Sequence, residues 1–243
     1  ELLPFVFQCA QAGQSSAPGS NATTPSPPSD PRLAEAGLRI FAALASPYAG
    51  TLRQYLGTLH ATLASCLASP SADIAAAAVR AAAAFIGAVH TSAERDAFQS
   101  LLPPMLAALG SALNSGDEAS AQDCIEALME VADEHPRFLR RQLAETVGAM
   151  LQVADAAALE PATRQLAAEF VLTLCEAREK APGMMRKLPA FVGRLFGCLL
   201  SFLLDVEDDP AWHRADSDAT AHEGEGELFE FGQEGLDRLA LAL

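Results

Sequence analysis

The residues with the clearest chemical character lie in one stretch near the end of the chain, residues 205–227. Within 23 residues it carries nine carboxylates, a single arginine and Trp212, the only tryptophan of the chain. The carboxylates belong to Asp205, Glu207, Asp208, Asp209, Asp216, Asp218, Glu223, Glu225 and Glu227. Such a cluster creates a negative field that a basic partner can enter while the charges stay hydrated. A tryptophan adds an apolar or cation–π contact for lysine or arginine.

Two interpretations of this stretch remain open. In the first it contacts a basic partner, through Asp205, Glu207, Asp208, Asp209, Trp212, Asp216 and Asp218. In the second it is a solubilising spacer, and Trp212 packs against a neighbouring helix. A calcium loop is disfavoured, because the sixth and twelfth positions counted from Asp205 are Pro210 and Asp216 instead of the glycine and glutamate of an EF-hand.

Catalytic motifs are missing from the sequence. The five histidines show no HExxH spacing and no cluster with cysteine, and no Walker A, GxGxxG or GxSxG motif occurs. A carboxylate pair for acid–base catalysis would need fixed geometry and a raised pKa, which a stretch rich in Gly, Ala and Ser does not favour. We therefore predict no enzymatic activity, no cofactor and no metal site.

Composition limits the partners further. The net charge of −15 disfavours nucleic acid, because phosphate contacts need lysine and arginine. The longest apolar run, Leu195–Leu204, is too short to span a bilayer and predicts a buried helix.

Five widely spaced cysteines without a CxxC motif predict reduced, buried thiols in a cytosolic or nuclear protein. The chain begins and ends in mid-pattern and has no basic leader, which predicts a fragment without a signal peptide.

The elements that position the acidic stretch follow from internal repeats. Five segments with apolar residues at helical spacing align on Leu38, Val79, Ile125, Ala168 and Leu236. The first three steps are 41, 46 and 43 residues, which is the range of HEAT-type helix pairs. The last step is 68 residues, and its excess is close to the length of the acidic stretch. We therefore interpret residues 205–227 as an acidic loop insertion within one repeat.

The predicted fold is all-α, a HEAT-repeat α-solenoid of stacked antiparallel helix pairs that forms one continuous, right-handed superhelical segment over residues 1–243. Second helices are predicted near 52–68, 95–113, 138–153 and 184–204, and residues 2–10 would belong to a preceding repeat. Asp117 is predicted to cap a helix, Pro161 to begin one, and Pro103-Pro104 to kink or break one. Residues 11–31, rich in Gly, Ser, Thr and Pro, are predicted to be a disordered loop insertion.

Two structural roles are possible for the aromatic residues, and two for the basic residues. Phe85, Phe138, Phe170, Phe191 and Phe196 occupy helical positions that predict core packing in preference to a ligand pocket. Two basic groups occur: Arg137, Arg140 and Arg141 cluster at the start of a predicted second helix, and Arg186 and Lys187 lie beside a predicted turn between helices. They would either contact a partner or form ion pairs between repeats and cap helix ends, and the second role is favoured.

Several runs of sequence resemble the importin-beta (karyopherin-beta) family, and most closely its importin beta-3 or importin-5 branch. They are RFLRRQL (137–143), EAREKAPGMMRKLP (176–189) and DVEDDPAWHRADSD (205–218), with FQSLLPPML (98–106) and GQEGLDRLALAL (232–243) in support. The resemblance covers nearly the whole chain except residues 11–31. Because members of the family are much longer, it implies a piece of a longer superhelix.

The resemblance implies a nuclear transport receptor that shuttles between cytoplasm and nucleus. Such receptors bind cargo with basic localisation signals on the concave surface, contact Phe-Gly nucleoporins on the outer surface, and release cargo when Ran-GTP binds. In the family an acidic loop within a middle repeat lies near the Ran and cargo surface, and residues 205–227 match it in position, acidity and tryptophan. The alternative function is a generic HEAT scaffold or assembly platform without a transport role.

Overall fold

The structure, a computed structural model, describes residues 31–188, 190–206 and 226–242. Over these ranges the chain is helical and contains no β-strand, which confirms the predicted all-α class. It divides into two compact units, the first ending at Gln142 and the second beginning at Leu143. The predictions for residues 2–10 and for the loop before Pro31 fall outside the described residues.

The first unit is built of two helical layers. Its helices are α1 (Pro31–Ala45), α2 (Ala49–Leu52), α3 (Leu56–Leu67), α4 (Ala72–Ala88), α5 (Ser92–Asp96), α6 (Leu102–Ser115) and α7 (Glu118–Glu134). Helices α1, α4 and α7 pack side by side in one layer, and α3 and α6 pack against that layer as a second. Short 3-10 turns at Arg53–Tyr55, Gln99–Leu101 and Pro136–Arg141 join these helices.

The second unit repeats this arrangement. Its helices are α8 (Leu143–Ala154), α9 (Pro161–Glu176), α10 (Phe191–Phe202) and α11 (Glu227–Ala242), with a 3-10 turn at Met185–Lys187 before α10. Helix α9 packs against α8, α10 and α11, and α10 also packs against α11. The five segments aligned by sequence lie in α1, α4, α7, α9 and α11, so the predicted helix pairs are confirmed.

Local signals set the helix boundaries where the sequence placed them. The Asp117 side chain accepts a hydrogen bond from the Ser120 amide at 3.1 Å and so caps α7. Gly116, with φ of 77°, ends α6 in the left-handed conformation that glycine adopts without strain. Pro161 is the first residue of α9. Pro103-Pro104 lie in the first turn of α6, where a missing N–H costs no hydrogen bond, so the predicted helix over 95–113 is broken before Leu102.

The abundance of alanine is explained by α4, which has helices on both sides within its layer. Alanines along its length are almost fully buried, among them Ala78, Ala81 and Ala82 at 0% exposure. Small side chains let the axes of α1, α4 and α7 approach closely, because no bulky group separates them. The high alanine content of α4 therefore allows close packing of these helices.

The aromatic residues follow the core prediction with one exception. Phe85, Phe138, Phe170 and Phe191 are buried, whereas Phe196 is 48% exposed and the prediction for it is wrong. Apart from Arg194 and Ser201, helix α10 has no polar side chain, but only Phe191, Leu195, Cys198, Leu199 and Phe202 are buried. A helix that is apolar over most of its surface does not reveal in its sequence which stripe will be covered. In the described ranges, no helix combines the length and apolar character needed to cross a membrane.

Candidate partner-binding site

The two described ends of the acidic insertion meet. The Gly226 amide donates a hydrogen bond to the Asp205 carbonyl at 3.4 Å. A Cβ atom on residue 226 would lie 2.9 Å from both the carbonyl oxygen and Oδ2 of Asp205, so only glycine allows this approach. The end of α10 and the start of α11 therefore lie next to each other.

Of the acidic residues predicted to contact a partner, the structure describes Asp205, whose side chain is exposed at this junction. Glu207, Asp208, Asp209, Trp212, Asp216 and Asp218 lie outside the described residues, and their role stays a prediction. Glu227, counted with the acidic stretch in the sequence, is already in the first turn of α11.

Helix α11 continues the negative charge beyond the insertion. Its four carboxylates, on Glu227, Glu230, Glu234 and Asp237, are all exposed. Their spacing of three, four and three residues places them along one side of a helix. We call these four residues the acidic face of α11. This face was not among the sequence predictions, although the same spacing of acidic residues is visible in the sequence.

The one base of α11, Arg238, is largely buried and holds two carboxylates of α9, and it lies 4.0 Å from Glu234 of its own helix. Its Nη1 and Nη2 atoms donate to the two carboxylate oxygens of Glu169, each at 2.7 Å. Its Nε and Nη2 atoms donate to Glu176 at 2.7 and 2.9 Å. The planar guanidinium suits such paired contacts, and only 22% of the side chain is exposed.

The contacts of Arg238 with the two glutamates shift the pKa values of this cluster. The hydrogen bonds that Arg238 donates to Glu176 and Glu169 raise its pKa, so it stays charged. The hydrogen bond and charge of Arg238 hold the pKa of Glu176 below its ordinary value, against the opposing effect of burial. The base of α11 is therefore neutralised internally, and the exposed charge of the helix is entirely acidic.

The predicted basic residues occupy two exposed turns. Arg137, Arg140 and Arg141 lie in the 3-10 turn of the first unit, which is anchored by buried Phe138 and Leu139. The Gln99 Nε2 atom donates to the Phe138 carbonyl of this turn at 2.5 Å. Arg186 and Lys187 lie in the 3-10 turn before α10. The structure brings Arg186 to the rim of an apolar cavity of about 370 Å³, and a partner contact for any of the five remains a prediction.

Other basic residues perform the structural roles that the sequence favoured. Arg95 donates to the carbonyls of Ile86 and Val89 at the end of α4, and Arg164 donates to the Ala154 carbonyl at the end of α8. Between helices, Arg80 of α4 pairs with Asp123 of α7 at 2.5 Å. Such contacts complement the negative end of the helix dipole or join neighbouring repeats.

The described thiols are suited to packing rather than to chemistry. Cys66, Cys124, Cys175 and Cys198 are buried, while Cys9 lies outside the described residues. Burial raises the pKa of Cys124, Cys175 and Cys198 to about 12, because a thiolate would lose its hydration. In the part of the chain that the structure covers, no three or more His, Cys, Asp or Glu side chains are grouped to hold a metal ion.

Stacked helix pairs at the described residues define a helical-repeat protein, here with an acidic surface on its last helix. Residues 25–149 match the family model described as "IPO5-like, TPR repeats", and residues 156–243 match the "Importin repeat" model. Since the first match alone covers half of the chain, the chain belongs to the IPO5-like branch of the importin-beta family, a family of transport receptors that shuttle between nucleus and cytoplasm.

Solved structures of Kap121p show the same fold. The crystal structure of Kap121p is 22% identical, with a TM-score of 0.77 over 99% of this chain and 22% of that one. Kap121p bound to RanGTP is 24% identical, with a TM-score of 0.76 over 99% and 21% of the two chains. Kap121p bound to Pho4p is 23% identical, with a TM-score of 0.78 over 99% and 22%. This chain thus spans about a fifth of the length of these structures.

Proposed function

We propose that this chain is a segment of a nuclear transport receptor that binds the basic localisation signals of cargo and releases cargo when Ran-GTP binds. Membership of the IPO5-like family supports a transport role. Structures similar to this chain are described as Kap121p bound to RanGTP, to Ste12p, to Pho4p and to Nup53p. The proposed role is binding and not catalysis, and the shuttling of the family would extend to this protein.

The observation that carries the proposal is the concentration of negative charge where the repeat is interrupted. Asp205 and the acidic face of α11 are joined through the Gly226 contact, and the remaining carboxylates of residues 205–227 belong to the same stretch. A basic peptide would be attracted there by many hydrated charges, each worth under about 1 kcal/mol alone. Trp212 would add an apolar or cation–π contact.

The Phe-Gly nucleoporins implied by the family are a further proposed partner. A structure similar to this chain is described as Kap121p bound to Nup53p. The buried phenylalanines of this chain serve its own core, so the proposal assigns them no contact with nucleoporins. No residue of this chain is assigned to that partner.

Binding of a lysine-rich localisation peptide and of GTP-locked Ran tests the proposed function. We expect the chain to bind the peptide in a salt-dependent manner, and Ran-GTP to lower peptide binding. A neutral peptide of the same length, with lysines replaced by glutamine, is the control. A chain that binds neither Ran-GTP nor the lysine-rich peptide at low salt would be a HEAT scaffold without a transport role, the alternative function.

A further inference from the structure

We propose that Arg238 is a positioning residue that keeps the acidic face of α11 directed to solvent. The inference rests on the proposed function, because it assigns that face to the binding of a basic partner. Arg238 itself would not touch the partner. It acts through α11, by fixing the rotation of this helix about its axis.

Helix α11 is held by two kinds of contact: close packing against α10, and hydrogen bonds from Arg238 that depend on the orientation of the helix. Gly232 and Gly235 seat the helix against α10, since Cβ atoms there would lie 2.9 Å from the Leu199 carbonyl and 2.8 Å from the Leu199 side chain. Leu228 and Leu239 are buried along the same side. This packing limits the rotation of α11, and the four hydrogen bonds from Arg238 to Glu169 and Glu176 add a directional constraint, because they are met in one orientation of the guanidinium.

Charge makes the alternative rotations unfavourable. Successive residues of an α-helix are separated by about 100° around its axis. A rotation by one position would therefore bring Asp237 toward Glu169 and Glu176 in place of Arg238, and three carboxylates would meet with no cation among them. Arg238 is the only base on α11, so no other residue of the helix can take its place.

The positioning role and a simple charge role predict effects of opposite sign. If Arg238 acted only as a positive charge near an acidic surface, its removal would make the surface more negative and strengthen the binding of a basic peptide. If Arg238 positions α11, its removal weakens binding, because the four carboxylates are no longer held on one exposed side. The direction of the change therefore separates the two roles.

The test compares Arg238→Gln and Arg238→Lys with the parent chain. Binding of a fluorescein-labelled lysine-rich peptide is measured by anisotropy, and hydrogen exchange is measured across residues 227–242. We expect Arg238→Gln to weaken binding by about three- to tenfold, the scale of a few exposed ion pairs. Arg238→Lys keeps the charge without the planar fork, and we expect it to bind less tightly than the parent. Both variants should exchange faster in α11.

Arg80→Gln is the matched control, because it removes an arginine from another ion pair between neighbouring helices, with Asp123. It should leave peptide affinity within about twofold of the parent and leave α11 exchange unchanged. Equal or tighter binding by Arg238→Gln, or unchanged exchange in α11, would overturn the positioning role. If the parent chain does not bind the peptide, the proposed function fails, and the exchange data alone decide whether Arg238 anchors α11.

Discussion

The amide of Gly226 lies within hydrogen-bonding distance of the carbonyl of Asp205, so an insertion of about twenty residues begins and ends at one point of the fold. Both helices that flank this point pack against each other and against α9. The repeat can therefore accept the insertion without separating α10 from α11. The two described ends of the insertion are thus fixed to a regular helical framework.

Gly226→Ala should destabilise the second unit. The added Cβ would lie 2.9 Å from the Asp205 carbonyl oxygen, which is closer than real contacts allow. We expect a loss of about 1–3 kcal/mol in the free energy of unfolding, measured in urea. The control is Gly197→Ala, at an exposed position of α10 with no atom within 4 Å of the added Cβ, which should be neutral or slightly stabilising. Equal stability of the two variants would contradict a tight junction.

Neutralising the insertion should weaken binding of a basic peptide and of Ran-GTP. Replacing Asp205, Glu207, Asp208 and Asp209 by Asn and Gln is expected to lower affinity and to flatten its dependence on salt, because exposed charges are screened over about 8 Å at physiological ionic strength. Trp212→Ala should weaken binding by an amount that changes little with salt. The measurement is a salt titration of both variants beside the parent, with circular dichroism to confirm unchanged helicity. If neither variant changes either affinity at low salt, the insertion is only a spacer.

The contribution of Glu176 to stability should disappear in acid. Because Arg238 lowers its pKa in the folded state, Glu176 stabilises the fold above its ordinary pKa near 4.5, and this stabilisation is lost as the pH falls through the folded value. Glu176→Gln is expected to cost about 1 kcal/mol at pH 7 and progressively less below pH 4.5, as measured by urea unfolding across this range. Asp237→Asn, which removes an exposed carboxylate from α11, is the control. A cost for Glu176→Gln that does not vary with pH would show that the ion pair is not responsible.

Two phenylalanines of α10 should differ sharply on truncation. Phe202 is fully buried, with its ring 6.1 Å from that of Phe231 and the Arg164 guanidinium carbon 5.0 Å above it. Phe202→Ala should therefore cost about 3–5 kcal/mol. Phe196→Ala should cost less than about 1 kcal/mol, since nearly half of that side chain is already exposed. Thermal unfolding of both variants checks this, and a large loss for Phe196→Ala would mean that its face is covered in solution.

Much of the architecture could be predicted from the sequence alone. Helix periodicity and the boundary residues Asp117 and Pro161 depend on interactions within one or two helical turns, so they are visible along the chain. The spacing of 41–46 residues is visible because that periodic pattern recurs. The excess length of one repeat predicts an insertion between the last two aligned segments. Its acidity suggested the kind of partner, because net charge is a property of composition.

Other features depended on how the helices pack. The partners of Arg238 lie 62 and 69 residues earlier in the chain, and nothing local distinguishes this arginine from others that cap helix ends. Likewise, Phe196 and Phe202 are equally apolar, but only the second faces a neighbouring helix. The reason is that a helix sequence defines its possible faces, whereas the positions of adjacent helices decide which face is buried and which is left for a partner.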